Sequence, residues 1–320
     1  MNQVLVLGAN GQDGSFLTER LLERGYNVIG ADRHGSSRYK IENTNFSYKQ
    51  LDLRNSEEVH TLLLNIRPDV IFHFAGVHGS AGTGYESVWQ DMLLVNTGSV
   101  HVILEYLRLE APKAKLIYAG SGKVFGPVYP EFITEQSEMR ASCLYTITKM
   151  AAKDMIIYYR THHGVNGITL YLFNHESERR PKDFFIPKVV EILANAIHDQ
   201  DSKGSVVTLD FDCDWGSAEE FMDIVVDISE NVMADDFVLG TGKTWNARVF
   251  VDTLFKSYGM NYQRHVFTEN QKPELNFRDD SYHVVIKKLE SAIQRTPQRT
   301  IIDVCNTILQ KNHHILSHLK

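Results

Sequence analysis

A short apolar run, residues 4–7, leads straight into Gly8-Ala9-Asn10-Gly11-Gln12-Asp13-Gly14, and an amphipathic segment follows at once. Glycines three residues apart suit a turn with three steric demands. The chain must reverse tightly, backbone must approach a diphosphate, and a helix must pack closely on a strand. The N-terminus of that helix then presents free N–H groups to an anion. In a strand, turn and helix setting this spacing predicts a dinucleotide-binding unit rather than a loop that is merely rich in glycine.

The rest of the first half repeats the rhythm. Residues 27–31, 70–74, 115–119 and 168–173 read as further buried parallel strands. Phe16, Leu17, Leu21 and Leu22 make one apolar helix face that Gly25 closes, and Asn55-Ser56-Glu57-Glu58 opens another helix with a capping side chain and two acids. Such alternation predicts an α/β fold with a doubly wound parallel sheet. After Phe173 the pattern loosens into Arg179-Arg180-Pro181, a helix around 188–198 and a strand-like stretch over 206–211. We expect residues 1–173, with about 212–248, to form the dinucleotide-binding domain. Residues 174–211 and 249–320 are expected to form a smaller mixed α/β lobe that binds substrate at the sheet's carboxyl edge.

Composition narrows the function classes. A chain of 320 residues with 43% hydrophobic and 23% charged side chains is an ordinary folded protein. A formal charge of -7 argues against a broad nucleic-acid surface, while leaving room for a local basic pocket. Cys143, Cys213 and Cys305 are few, odd in number and far apart, so neither a disulfide framework nor a metal site is expected, and a reducing cytoplasm is the simplest home. No apolar stretch reaches ~18 residues and no leader pattern opens the chain, so no membrane association is expected.

Asp32 ends the second strand, where an acid can hydrogen-bond the adenosine ribose and repel a 2′-phosphate. This favours NAD, although Arg33 and His34 beside it are able to accept that phosphate and keep NADP open. Asp52, with Leu53, is placed to meet the adenine, and Phe74, Ala75 and Gly76 leave room for the dinucleotide. The expected cofactor set is Gly8, Asn10, Gly11, Gln12, Asp13, Gly14, Asp32, Arg33, Asp52, Leu53, Phe74, Ala75, Gly76 and Asn96, together with Tyr145 and Lys149.

Tyr145-Thr146-Ile147-Thr148-Lys149 puts a phenol and an ammonium four residues apart on one helix face. A phenol with pKa ~10 is a poor base at neutral pH, but a nearby ammonium and an oxidised nicotinamide both favour its anion. Tyr145 can then take a proton from a substrate hydroxyl while hydride leaves the same carbon, or run the step backwards on a ketone. Ser121, just after the 115–119 strand, can hydrogen-bond the same oxygen, so Ser121, Tyr145 and Lys149 form the candidate catalytic triad.

Together these residues resemble the extended short-chain dehydrogenase/reductase family, a Rossmann-fold family, and within it the GDP-mannose 4,6-dehydratases. The likeness runs through most of the chain. Gly11-Gln12-Asp13-Gly14-Ser15 is similar to their turn, and residues 172–180, Leu-Phe-Asn-His-Glu-Ser-Glu-Arg-Arg, to their substrate loop. Asp214-Trp215-Gly216-Ser217-Ala218 and residues 236–242 are similar to segments that flank the nucleotide. The resemblance implies that Asn174, Arg180 and Lys188 hold a nucleotide diphosphate carrying guanine, with Glu176 and Lys123 also in the substrate site. The loop 34–38 resembles one through which such subunits meet, which implies a homo-oligomer, a dimer or a tetramer.

Two departures bear on the reaction. Where the dehydratases carry Thr-Ser-Glu, this chain reads Ser121-Gly122-Lys123, so the acid/base of water elimination is replaced by lysine. Where they carry arginine before Asp-Trp-Gly, this chain has Cys213. Lys272-Pro273-Glu274 echoes a family Arg-Pro-x-Glu element, and the glycine-rich residues 78–84 fall where the family contacts the sugar. We therefore expect an NAD-dependent oxidoreductase acting at carbon 4 of a nucleotide sugar, a GDP-linked manno-hexose or manno-heptose, without dehydration. Whether it acts as dehydrogenase or ketoreductase stays open. The alternatives are a 4,6-dehydratase with a substitute acid/base, a 4-epimerase, and a non-catalytic cofactor-binding protein, against which the intact triad argues.

Overall fold

A computed structural model describes residues 2–78, 84–269 and 282–315. Residues 79–83 of the glycine-rich loop and the Lys272-Pro273-Glu274 element lie outside the described residues. Seven parallel strands form the central sheet. They lie in the order Asp236–Leu239, Asn166–Leu172, Lys115–Ala119, Val70–His73, Gln3–Leu7, Asn27–Asp32 and Phe46–Gln50. The order reverses beside the first strand, whose Leu7 pairs with Ala31 on one side and His73 on the other. That reversal opens a crevice at the strands' carboxyl ends, the usual ligand position in such sheets.

All five strands read from sequence are present, to within two residues at either end. Two more are added, Phe46–Gln50 and Asp236–Leu239, one at each edge of the sheet. The stretch 206–211 is a correction. Strands occupy Gly204–Val206 and Asp212–Ser217 instead, because Thr208 Oγ1 accepts from Asp210 N at 3.1 Å and turns the chain between them.

Local chemistry explains the helices that carry the site. Gln12–Glu23 buries Phe16, Leu17, Leu21 and Leu22 against the sheet. Ser56–Ile66 starts at Asn55, whose side chain accepts from the backbone N–H groups of Glu57 and Glu58, a cap of the kind that contributes ~1 kcal/mol. Leu144–His163 carries the Tyr-x-x-x-Lys pair, packs on the 166–172 strand, and ends at Gly164. The expected helix around 188–198 runs over Phe185–His198.

Apolar cores lie on both faces of the sheet, one built around Val6, Phe16, Phe72 and Phe221, the other around Leu5, Leu63, Leu104 and Leu116. A third core, with Leu193, Trp215, Phe250 and Cys305, holds the second lobe together. Within 212–248, helix Ala218–Asn231 and strand Asp236–Leu239 complete the first unit. Strands Asp212–Ser217 and Thr244–Asn246 join Asn174–Glu176 in a separate three-stranded sheet. Among the described residues no helix is long and apolar enough to cross a membrane.

Candidate active site

The glycine turn is sterically committed. Gly8 has φ +89°, and a Cβ there would lie 2.6 Å from Ala75 N, while one on Gly14 would lie 2.1 Å from Gly8 O. Gly11 precedes the first helix and supplies no side-chain cap, so the helix N-terminus keeps donors for an anion. Beside it opens a cavity of about 730 Å³ at the sheet's switch point. Of the expected cofactor residues, Gly8, Asn10, Gly11, Asp32, Arg33, Asp52, Leu53, Phe74, Ala75 and Gly76 line it.

The remaining four of that set, beyond the Tyr/Lys pair, sit differently. Gly14 packs beneath the turn. Gln12 and Asp13 turn their side chains to the 174–180 loop. Gln12 Oε1 accepts from Ser177 Oγ at 2.8 Å, and its Nε2 donates to His175 O at 3.2 Å. Asp13 Oδ1 lies 2.9 Å from His175 Nε2. Burial alone would raise the Asp13 pKa, but the His175 charge and hydrogen bond outweigh it and hold the carboxyl at about 2. Asn96 is buried behind the cavity wall, where its amide spans the N–H and carbonyl of Val77 and donates to Thr148 Oγ1 at 3.1 Å.

The adenosine end is shaped by contacts that sequence reasoning did not find. Asn10 Nδ2 donates to Ser36 O and Tyr48 Oη while its Oδ1 accepts from Arg38 N at 2.7 Å, which pins the 34–38 loop over the cavity. Asp32 Oδ1 stands 2.7 Å from His34 Nδ1. Arg54 ties Asp52 to Asp91, with Nη2 to Asp52 Oδ2 at 2.6 Å and Nη1 to Asp91 Oδ1 at 3.0 Å, and the first of these bonds lowers the Asp52 pKa. Arg54 and Asp91 line the cavity as well.

The triad converges at its inner end. Ser121 caps the turn Gly122–Phe125, and its side chain lies close enough to Tyr145 to lower the phenol's pKa. Lys149 is buried and donates to Ala119 O at 2.7 Å, with Nζ 4.7 Å from the Tyr118 ring and 5.7 Å from that of Tyr145. Burial pushes the Tyr145 phenol up to about 12, against the Ser121 hydrogen bond, and draws the Lys149 ammonium down to about 7, against the pull of Asp13. The lysine is desolvated along with the phenol it was expected to activate.

On the substrate side, Asn174 Nδ2 donates to the Cys213 thiol at 3.0 Å. Burial raises the Cys213 pKa well above its ordinary value, so a neutral sulfur accepts this bond. Glu176 is buried with Oε2 3.6 Å from Arg180 Nε, and Arg180 stacks on Phe184 at 3.8 Å. Lys188 is half-buried in the first turns of its helix. Lys123 is exposed as a residue, yet protein crowding its ammonium lowers its pKa and Arg180 adds to that. Its Nζ lies 3.2 Å from His78 Nε2.

Comparison with known proteins places this geometry. The sequence profile described as GDP-mannose 4,6 dehydratase matches residues 5–304. The chain belongs to that family. A GDP-mannose 4,6-dehydratase of Vibrio cholerae is 27% identical over 271 residues, spanning 81% of this chain and 72% of the relative. The GDP-mannose 4,6 dehydratase 1 of Arabidopsis thaliana is 29% identical over 279 residues, spanning 82% and 76%. The fold is shared more widely. A dTDP-glucose 4,6-dehydratase from Bacillus anthracis, solved in complex with NAD, superposes with a TM-score of 0.81 at 16% identity over 98% of this chain and 97% of that one. Membership in the GDP-mannose 4,6-dehydratase family makes the chain an enzyme of the short-chain dehydrogenase/reductase type.

Proposed function

We propose that this chain transfers hydride between NAD and carbon 4 of a GDP-linked manno-configured hexose or heptose, as a 4-dehydrogenase or 4-ketoreductase, without expelling water. The observation that carries the reading is the meeting of Ser121, Tyr145 and Lys149 beside the glycine-turn cavity.

The residues fit a dinucleotide. Gly8 and Gly14 have no space for a Cβ, and the helix start beside them is uncapped by a side chain. Asp32, at the end of its strand, suits ribose hydroxyls and disfavours a 2′-phosphate, which supports NAD over NADP. When bound, the nicotinamide accepts or returns the hydride. Tyr145 takes the proton of the carbon 4 hydroxyl, Ser121 holds the same oxygen, and Lys149 adds positive charge beneath the site when protonated.

Asn174, Glu176, Arg180 and Lys188 are the proposed nucleotide-sugar contacts, and Cys213 removes one cation from them. Residues 1–173, with helix Ala218–Asn231 and strand Asp236–Leu239, serve the cofactor, and 174–211 and 249–320, with strands Asp212–Ser217 and Thr244–Asn246, the sugar nucleotide. Three free thiols suit a cytoplasmic enzyme, and the exposed apolar Leu93, Leu94 and Ile147 suit a homo-oligomer.

The reading without dehydration rests on the resemblance, which puts Lys123 where the dehydratases carry their acid/base. Elimination across carbons 5 and 6 needs one group to accept the carbon 5 proton and one to protonate the departing hydroxyl. Incubation with NAD and GDP-linked hexoses or heptoses in deuterated water, followed by mass spectrometry, is expected to yield a 4-keto nucleotide sugar of unreduced oxygen count. Loss of one water, with deuterium arriving at carbon 6, overturns this reading.

A further inference from the structure

Arg179 starts in the loop proposed to hold the substrate diphosphate, and its side chain ends on the cofactor unit. Its Nη1 donates to Ser15 Oγ at 2.9 Å and its Nη2 to Glu19 Oε1 at 2.6 Å, both on helix Gln12–Glu23. The guanidinium carbon lies 3.8 Å from the centroid of the Phe16 ring and 4.6 Å from that of Tyr39, within cation–π reach of both. Tyr39 belongs to residues 33–45, which carry neither helix nor strand. From the same segment His34, Ser36 and Arg38 line the cofactor cavity. Asn10 and Tyr48 anchor it to the cofactor unit, with Asn10 Oδ1 accepting from Arg38 N at 2.7 Å and Tyr48 Oη donating to His34 O at 2.6 Å. Arg179 meets it from the other lobe, one residue before Arg180.

We propose that Arg179 is a positioning residue that couples the two ligand sites, so that a dinucleotide in the cavity strengthens the binding of a nucleoside diphosphate beside Arg180, and the reverse. The inference rests on the diphosphate role proposed above for Asn174, Arg180 and Lys188. An irregular segment loses conformational freedom when a ligand covers it. A dinucleotide that touches His34, Ser36 or Arg38 orders residues 33–45, fixes the Tyr39 ring and, through it, the Arg179 guanidinium. The main chain of Arg179 is held too, because its N–H donates to Ser177 Oγ at 3.1 Å and that hydroxyl donates to Gln12 Oε1 at 2.8 Å. Arg180 then stands on backbone that is already ordered in part, and the second ligand bears less of the entropic cost. Linkage makes the effect equal in both directions. Arginine suits the task. A lysine would keep a charge opposite Glu19 but lacks the flat, delocalised cation that stacks on aromatic rings and the fork that serves Ser15 and Glu19 at once.

The test uses the full chain in titration calorimetry, with NAD and GDP as the two probes, each titrated alone and with the other at saturation. In the unaltered protein GDP is expected to bind about tenfold more tightly with NAD in place, and NAD to gain the same factor from GDP, a coupling of ordinary size between sites. Tyr39→Phe keeps the ring and is expected to keep the factor. Tyr39→Ala and Arg179→Lys are each expected to bring it within about twofold of unity, while both ligands still bind singly. Tyr39 is half-buried on a segment outside every helix and strand, so its alanine variant keeps the test open should Arg179→Lys not fold. A merely structural contact would weaken single-ligand binding in these variants and leave the factor unchanged, and that result overturns the inference. An unchanged factor would assign the coupling to the Asp13–His175 and Gln12–Ser177 ties, which both variants retain. A factor of unity in the unaltered protein overturns the inference as well. Failure of GDP to bind the unaltered protein with or without NAD overturns the diphosphate reading, and the coupling falls with it.

Discussion

Asp13 Oδ1 and His175 Nε2 lie 2.9 Å apart, although 162 residues separate them in the chain. The pair fastens the first turn of the cofactor helix to the loop proposed to hold the substrate diphosphate. His175 Nδ1 is in turn 2.6 Å from Phe173 O, which fixes the ring. The same interface carries the Gln12 bonds to Ser177 and His175, so the nucleotide turn and the substrate loop are tied at several points.

The pair also sets a pH window. The Asp13 pKa is held down, to about 2 from 3.8, so its contribution is present above the unfolded value and lost as pH falls toward 2. His175 is shifted the other way: burial lowers its pKa, but Asp13 raises it further, to a net position above 6.5, so its contribution is full below 6.5 and lost as pH rises through the folded value. Asp13→Asn is expected to cost about 2 kcal/mol at pH 5, and the gap to narrow at both lower and higher pH. Denaturant unfolding across pH checks this. A pH-independent gap would assign Asp13 a packing role alone.

Tyr145→Phe deletes one oxygen and keeps the ring that packs on His78. Turnover is expected to fall at least ~100-fold with nucleotide binding retained, since only the proton acceptor is lost. Steady-state kinetics with calorimetry of cofactor binding decide it, and near-normal turnover removes Tyr145 from the mechanism.

Asp32 governs cofactor choice in our reading, with His34 held on its carboxylate at 2.7 Å. NAD is expected to bind more tightly than NADP. Asp32→Ala removes the ribose partner, ends the repulsion of a 2′-phosphate and frees His34, so the preference is expected to narrow or reverse. Titration calorimetry with both cofactors measures the gap. Tighter NADP binding by the unaltered protein would transfer the choice to Arg33 and His34.

What could be read in the sequence was whatever local physics dictates. The spacing of Gly8, Gly11 and Gly14, the apolar face of Phe16, Leu17, Leu21 and Leu22, the Asn55 cap and the four-residue step from Tyr145 to Lys149 each work within one turn or one helix, so neighbouring residues suffice to specify them. The edge strand Phe46–Gln50 escaped because an edge strand with one half-solvated face has no continuous apolar run. Tertiary structure alone decided the partners across the site. It turned Gln12 and Asp13 to residues 175–177, bound Arg54 between Asp52 and Asp91, set Cys213 against Asn174, and brought Lys123 to His78. It also pushed the Tyr145 phenol up and the Lys149 ammonium down, because desolvation depends on how much of the fold surrounds a charge, and no local stretch of sequence carries that quantity.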